Sequence, residues 1–524
     1  MLAAPAMAFA ALAFAALAVV ALAPPAMAQE PLSAIDWLSR SVVVTPQAGA
    51  IAPNTMLPEA PVASGITANP VVASPLGPLA PASPGLISPL RSGLPRDLWG
   101  ATPEADLAAL LRRERTDTLP ALLNLLRLTM LAELDAPRIA APVDGALLLA
   151  RVDGLLELGA LEPAFALLQM VGAGEPEYFR RLFDIALLLG EEDRACRILR
   201  ATPEVSPSYP VQVFCMARGG DWQAAVLSFG AARALGLIEP EMAALLGRFL
   251  DPEAADGADE LPVPGRISPL VFRLMEAVGQ PLPTAALPLA FAQADLRTST
   301  GWKARIEAGE RLARMGSVEA NQLLGLYTEQ SAAAAGGVWD RAAAMARLDA
   351  AVTAHNADAV AAVLPATHAL MAEAGLEMPL GTLFARTLAT LPLQGAPESL
   401  AFRLGMLSED FETIAASHVP QTAVERLLLG ISKGDTAGLV ATNLRGIAIK
   451  AAFDARADLA EPYANLVATD RRGEALLLAI EALAGGARGD LRQISPALTL
   501  LRQLGLETAA RRVAIELLLL EPRA

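Results

Sequence analysis

Few residues in this chain carry the side chains that chemistry needs. The histidines are His355, His368 and His418. No two of them have the i, i+4 spacing of a zinc-binding helix, and none has an acid-base partner at a recognisable offset. Each is expected to serve packing or the surface. Between Asp251 and Glu260 five carboxylates fall within ten residues, Asp251, Glu253, Asp256, Asp259 and Glu260. A calcium loop requires alternating acidic positions, glycine at the sixth and glutamate at the twelfth. That spacing is missing, so the run reads as a solvated linker. Glu191-Glu192-Asp193 sits at a helix start, where the helix dipole favours negative charge, and reads as capping rather than as a catalytic pair. Glycines lie singly rather than in a phosphate-cradling loop, and the Gly-x-Ser-x-Gly nucleophile elbow does not occur. The expectation is a protein without catalytic, cofactor-binding or metal-ligating residues.

The two cysteines, Cys196 and Cys215, are the sharper case. The first falls on one predicted helix and the second on the next, with the turn centred near Glu204. Their offsets from that turn are about eight and eleven residues, which at about 1.5 Å per residue puts them within roughly 5 Å of one height on antiparallel neighbours. Two readings stay open: a structural disulfide formed in an oxidising compartment, or two buried free thiols packing as small hydrophobes.

Those residues ride on helices. The hydrophobic fraction is 54% but aromatics are only 4%, and the excess is alanine and leucine, so the composition favours helix and lacks the β-branched and aromatic enrichment of strands. Between Ala146 and Leu237 one unit recurs. An apolar helix ends at Leu158-Gly159, Leu189-Gly190 or Gly219-Gly220-Asp221, and a second helix follows. Glycines at intervals of about 30 residues mark stacked helical hairpins. The same turn is expected at Met315-Gly316-Ser317, approximately over Leu404-Gly405-Met406-Leu407-Ser408-Glu409-Asp410, and at Lys433-Gly434-Asp435 and Leu504-Gly505. Leu119–Leu134, Leu270–Val278 and Ala286–Ala294 read as further helices, and Ala509–Leu520 as a final helix capping the array. The fold class expected is all-α, an α-solenoid of stacked hairpins.

Arg218-Gly219-Gly220-Asp221-Trp222-Gln223-Ala224-Ala225-Val226 resembles the inter-helix turn of the tetratricopeptide (TPR) class of helical repeat. There a glycine-aspartate-aromatic step leads into a helix opening with alanine. The early-helix tryptophan and the closing proline of that family are irregular here. The resemblance implies a concave groove that binds peptides or partner proteins. With its alanine-rich leader and Pro-Ala segment, the chain is also similar to exported alphaproteobacterial proteins, some labelled antifreeze-glycopeptide-related; the threonine-rich ice-facing repeats such a label requires do not occur in it.

Taken in order, residues 1–28 contain no charged side chain, run apolar from Ala6 to Ala23, and end Pro24-Pro25-Ala26-Met27-Ala28. This is the pattern of a cleaved signal peptide, predicting a periplasmic or secreted protein. With no lysine or arginine in its first part, retention of residues 2–28 as an inner-membrane anchor is the alternative. Residues 29–45 form a short amphipathic segment with Leu32, Ile35, Leu38 and Val42 on one face and Trp37 at its edge, a candidate docking segment for a partner groove. Residues 46–96 are a Pro/Ala-rich linker whose prolines forbid helix interiors. Helical repeats are expected over 97–250 and 267–524, separated by the acidic linker 251–266. A net charge of −15 disfavours nucleic acid and anionic lipid as partners. The function expected is an exported non-enzymatic scaffold binding a protein or peptide in the cell envelope. The rival is a cell-envelope, peptidoglycan-related enzyme or its accessory subunit.

Overall fold

The computed structural model describes residues 84–114, 116–139, 145–253, 259–332, 334–453 and 458–520. The leader, the candidate docking residues Leu32, Ile35, Trp37, Leu38 and Val42, and most of the Pro/Ala-rich stretch lie outside them. Among the described residues every regular element is a helix, and β pairing is confined to one parallel bridge between Ile87 and Ala132. No helix among these residues is long and apolar enough to cross a membrane.

Starts and stops follow from local chemistry. Proline occupies the first helical turn of Pro120–Leu131, Pro176–Leu189, Pro240–Leu250 and Pro269–Ala277, where its missing N–H costs nothing. Asp221, Ser268, Asn356, Thr422 and Asn443 cap their helices by accepting a bond from the amide three residues on. One stop signal recurs. Gly159, Gly190, Gly220, Gly316, Gly434 and Gly505 take φ between 68° and 86°. The amide after each glycine reaches back five residues, as in Ala160 N to Leu155 O (2.8 Å) and Leu506 N to Leu501 O (2.9 Å). This double turn satisfies the last carbonyls of the helix and needs a left-handed residue.

Several expectations need correction. The turn expected over residues 404–410 falls at its end, between Ala396–Leu407 and Phe411–Ser417; Gly405 itself lies inside the first of these helices, where an added Cβ would come 2.8 Å from Ile414. The helix ends three residues later, at Ser408, whose hydroxyl donates to Gly405 O. Ala286–Ala294 is not one helix. Pro288 pushes Leu287 out of the helical region, leaving a 3-10 turn, Leu289–Phe291, and a short helix, Ala292–Asp295. Residues 87–96, taken as the end of the linker, belong to the packed body: Pro89–Ser92 is helical and Leu94 is buried. Nor does the acidic stretch divide the packing, because Pro240–Leu250 and Pro269–Ala277 lie against each other across it.

Successive helices pack as neighbours, as a helical-repeat fold requires, but the last described helices come back to the early helices Glu104–Arg113 and Pro120–Leu131. Buried residues from Ala292 to Leu404 form one apolar cluster; a second joins Leu94–Ala294 to Ala385–Leu520. Arg472–Ala487 lies against Glu104–Arg113 and Pro120–Leu131, and Glu507–Leu519 against Pro120–Leu131, Ala396–Leu407 and Ala423–Lys433. The final helix is therefore an interior element rather than a terminal cap. Backbone bonds reinforce this return: Ala101 N donates to Asp470 O (2.8 Å) and Gly473 N to Leu98 O (2.8 Å). An added Cβ at Gly473 would meet Trp99 at 2.6 Å, so the close approach depends on glycine.

Candidate functional site

The return of the C-terminal helices creates a cleft of about 330 Å³ that no single hairpin contains. Its walls are the first turns of Pro120–Leu131, the Gly316 turn between Trp302–Arg314 and Ala320–Thr328, the first two turns of Glu377–Leu388, Glu409, and Arg512 and Glu516 of Glu507–Leu519. Three guanidinium groups, Arg127, Arg314 and Arg512, and three carboxylates, Glu319, Glu409 and Glu516, line it.

Half of these charges are occupied. Arg127 Nη1 donates to Gly316 O and Nη2 to Asn124 Oδ1 (3.2 Å). Burial lowers the affinity of that guanidinium for its proton, and the charge of Glu319 partly restores it. Arg314 Nε donates to Glu310 O (3.3 Å). Glu516, only 2% exposed, accepts from Ala121 N (2.8 Å) and so caps a helix 395 residues away in sequence. Arg512 is half-buried and forms neither hydrogen bond nor ion pair among the described residues. A neighbouring cleft of about 440 Å³ shares Arg127, Gly316, Val318 and Glu319, so the Arg127 side chain stands between the two spaces.

The histidines are dispersed. His355 occupies the left-handed position of a helix turn, with φ 48°, where other turns have glycine. His368 borders a separate cleft with Glu373, Glu377 and Arg403, and burial followed by the Arg403 charge lowers its pKa. His418 does have an acidic partner: Nε2 lies 3.1 Å from Glu425 Oε2 while its ring stacks on Phe402 at 3.6 Å. Burial works to raise the Glu425 carboxyl, but the Gln421 amide and the His418 ring outweigh it and hold it below the usual range. The sequence signal for this pair was Thr422-x-x-Glu425, a capping box in which Thr422 Oγ1 accepts from Glu425 N (3.1 Å). Among the described residues no three metal-capable side chains converge.

Cys196 on Glu192–Ala201 and Cys215 on Tyr209–Arg218 are joined as a disulfide, with Cα atoms 5.1 Å apart and both side chains nearly wholly buried. On Tyr209–Arg218 and on helices before and after it, a row of rings, Phe179, Phe183, Phe214, Phe249 and Trp222, runs out to the surface through stacked, edge-on and tilted contacts. It ends on the helix Trp222–Ala234, which buries only Ala225, Phe229 and Ala232. The opposite side carries Gln223, Val226, Leu227, Gly230, Ala231 and Ala234, which span about 140° of the helix circumference at about 100° per residue. None of the six is charged. Leu227 is 73% exposed, as is Leu235 just past the helix end.

No family model, curated protein or solved structure matches this chain.

Proposed function

We propose that this chain is an exported, TPR-like α-solenoid scaffold without enzymatic activity of its own, which binds a protein or peptide partner in the cell envelope. The observation that carries the reading is the outer face of Trp222–Ala234. An uncharged and mostly apolar helix face is ordinarily covered, yet Val226, Leu227 and Leu235 stand in water. Helix against helix is the packing that such a face, with the small residues Gly230 and Ala234 near its centre line, accommodates most closely. A lipid surface fits less well, since the net charge of −15 is repelled by anionic headgroups. The buried Cys196–Cys215 pair and the apolar leader support an oxidising, extracytoplasmic setting.

The test is capture from envelope extracts by full-length protein, wild type against Leu227→Glu/Leu235→Glu, with light scattering on the bait alone. A partner retained by the wild type and lost by the double variant supports the reading. Identical capture by both proteins, or self-association that consumes the face, overturns it.

A further inference from the structure

We propose that the 330 Å³ cleft is a binding site for a small zwitterion, a free α-amino acid or a short unblocked peptide, with Arg512 holding its carboxylate. The inference does not rest on the Trp222–Ala234 face, which is a different part of the surface. It starts from which charges in the cleft are already committed. Arg127 is held by Gly316 O and Asn124, Arg314 by Glu310 O, and Glu516 by the Ala121 amide. What remains without a side-chain hydrogen bond or ion pair among the described residues is one guanidinium, Arg512, together with the carboxylates of Glu409 and of Glu319, whose charge also acts on Arg127.

A guanidinium partly withdrawn from water with no acceptor is costly, and a carboxylate fits its fork with two parallel bonds. The positive end of the twelve-residue helix Glu377–Leu388, whose Met378 and Pro379 line the cleft, adds to the attraction for an anionic group. Glu319 and Glu409 set the other half of the preference. They repel a polyanion such as phosphate and accept from an ammonium group. The space lies at the small end of the range for small-molecule sites, which fits one or two residues rather than a folded partner.

The experiment is isothermal titration of the full-length protein with L-alanyl-L-alanine, its N-acetyl form, its C-terminal amide, L-alanine and inorganic phosphate. The free dipeptide or the free amino acid is expected to bind, with the amide at least tenfold weaker than the free dipeptide and the acetylated form weaker too. Arg512→Gln should lose at least tenfold for the carboxylate-bearing probes. Because that side chain holds no partner among the described residues, the variant's melting temperature should stay within about a degree of wild type. Glu409→Gln should narrow the gap between free and acetylated dipeptide. Phosphate binding more tightly than either zwitterion, binding unchanged in Arg512→Gln, or no heat from either zwitterion at millimolar concentration overturns the assignment.

Discussion

Glu114 shows at the residue scale how burial makes a side chain pH-sensitive. Burial, with the nearby charge of Glu481 and against that of Arg113, pushes its carboxyl up to about 8. The folded protein therefore keeps a proton there, between about pH 4.5 and 8, that the unfolded chain releases. Stability from this group is greatest at the acid end and declines as pH rises through that window. Asp184, raised to about 6 by burial against the opposing charges of Arg180 and Arg181, acts in the same direction. The melting temperature should fall from pH 5 to pH 8, and Glu114→Gln should flatten that slope; a slope unaltered by the variant would discount the assignment. The cysteines offer a second test. Their sequence separation of 19 closes a loop whose cross-link is worth about 3 kcal/mol. Cys196→Ala/Cys215→Ala should lose about that much in urea unfolding, and peptide mapping of the protein as isolated from its cells without reductant should recover the linked pair. Two free thiols in that map would remove the support it gives to export.

Turns dominate at the scale of the element. His355 and Asp470 are the non-glycine residues with positive φ among those described. Left-handed backbone costs a residue with a Cβ about 1–2 kcal/mol, and glycine's greater freedom in the unfolded chain offsets part of any gain. His355→Gly should therefore stabilise by up to about 1 kcal/mol. Gly505→Ala, where φ is 80° and a Cβ meets nothing within 4 Å, should destabilise by about 1–2 kcal/mol through the backbone alone. Chemical denaturation of the two single variants reads both signs. Equal effects would mean that packing around the turns, rather than φ, sets their energy. The same scale shows where local pattern misleads. Leu404-Gly405 has the letters of the turn, but a glycine also serves where two helices touch, and letters alone do not separate the two uses.

For the folded body as a whole, the decisive contact is between the last helix and an early one. In an open stack each hairpin touches only its neighbours, so deletion of the final helix trims one unit and leaves the rest. Here Glu507–Leu519 covers Pro120–Leu131, and Glu516 caps that helix. Glu516→Ala should cost about 1–2 kcal/mol by removing a buried cap. Deletion of residues 507–524 should abolish slow hydrogen exchange across residues 120–131, far away in sequence. Retained protection there would show that the first helices stand without the last.

Helix content, most boundaries and the repeating stop signal were legible in the sequence because each depends on neighbours within about five residues. Alanine and leucine set the propensity, proline and small polar residues open the helices, and Gly159, Gly190, Gly220 and Gly505 close them. The antiparallel offset of Cys196 and Cys215 could be counted for the same reason. Nothing local relates Arg127 to Gly316 or Glu516 to Ala121, since those pairs are set by how a chain of many hairpins bends back on itself. That bend sums small rotations and apolar contacts over hundreds of residues, so the cleft, the place of Arg512 in it and the burial of the last helix were decided only in three dimensions.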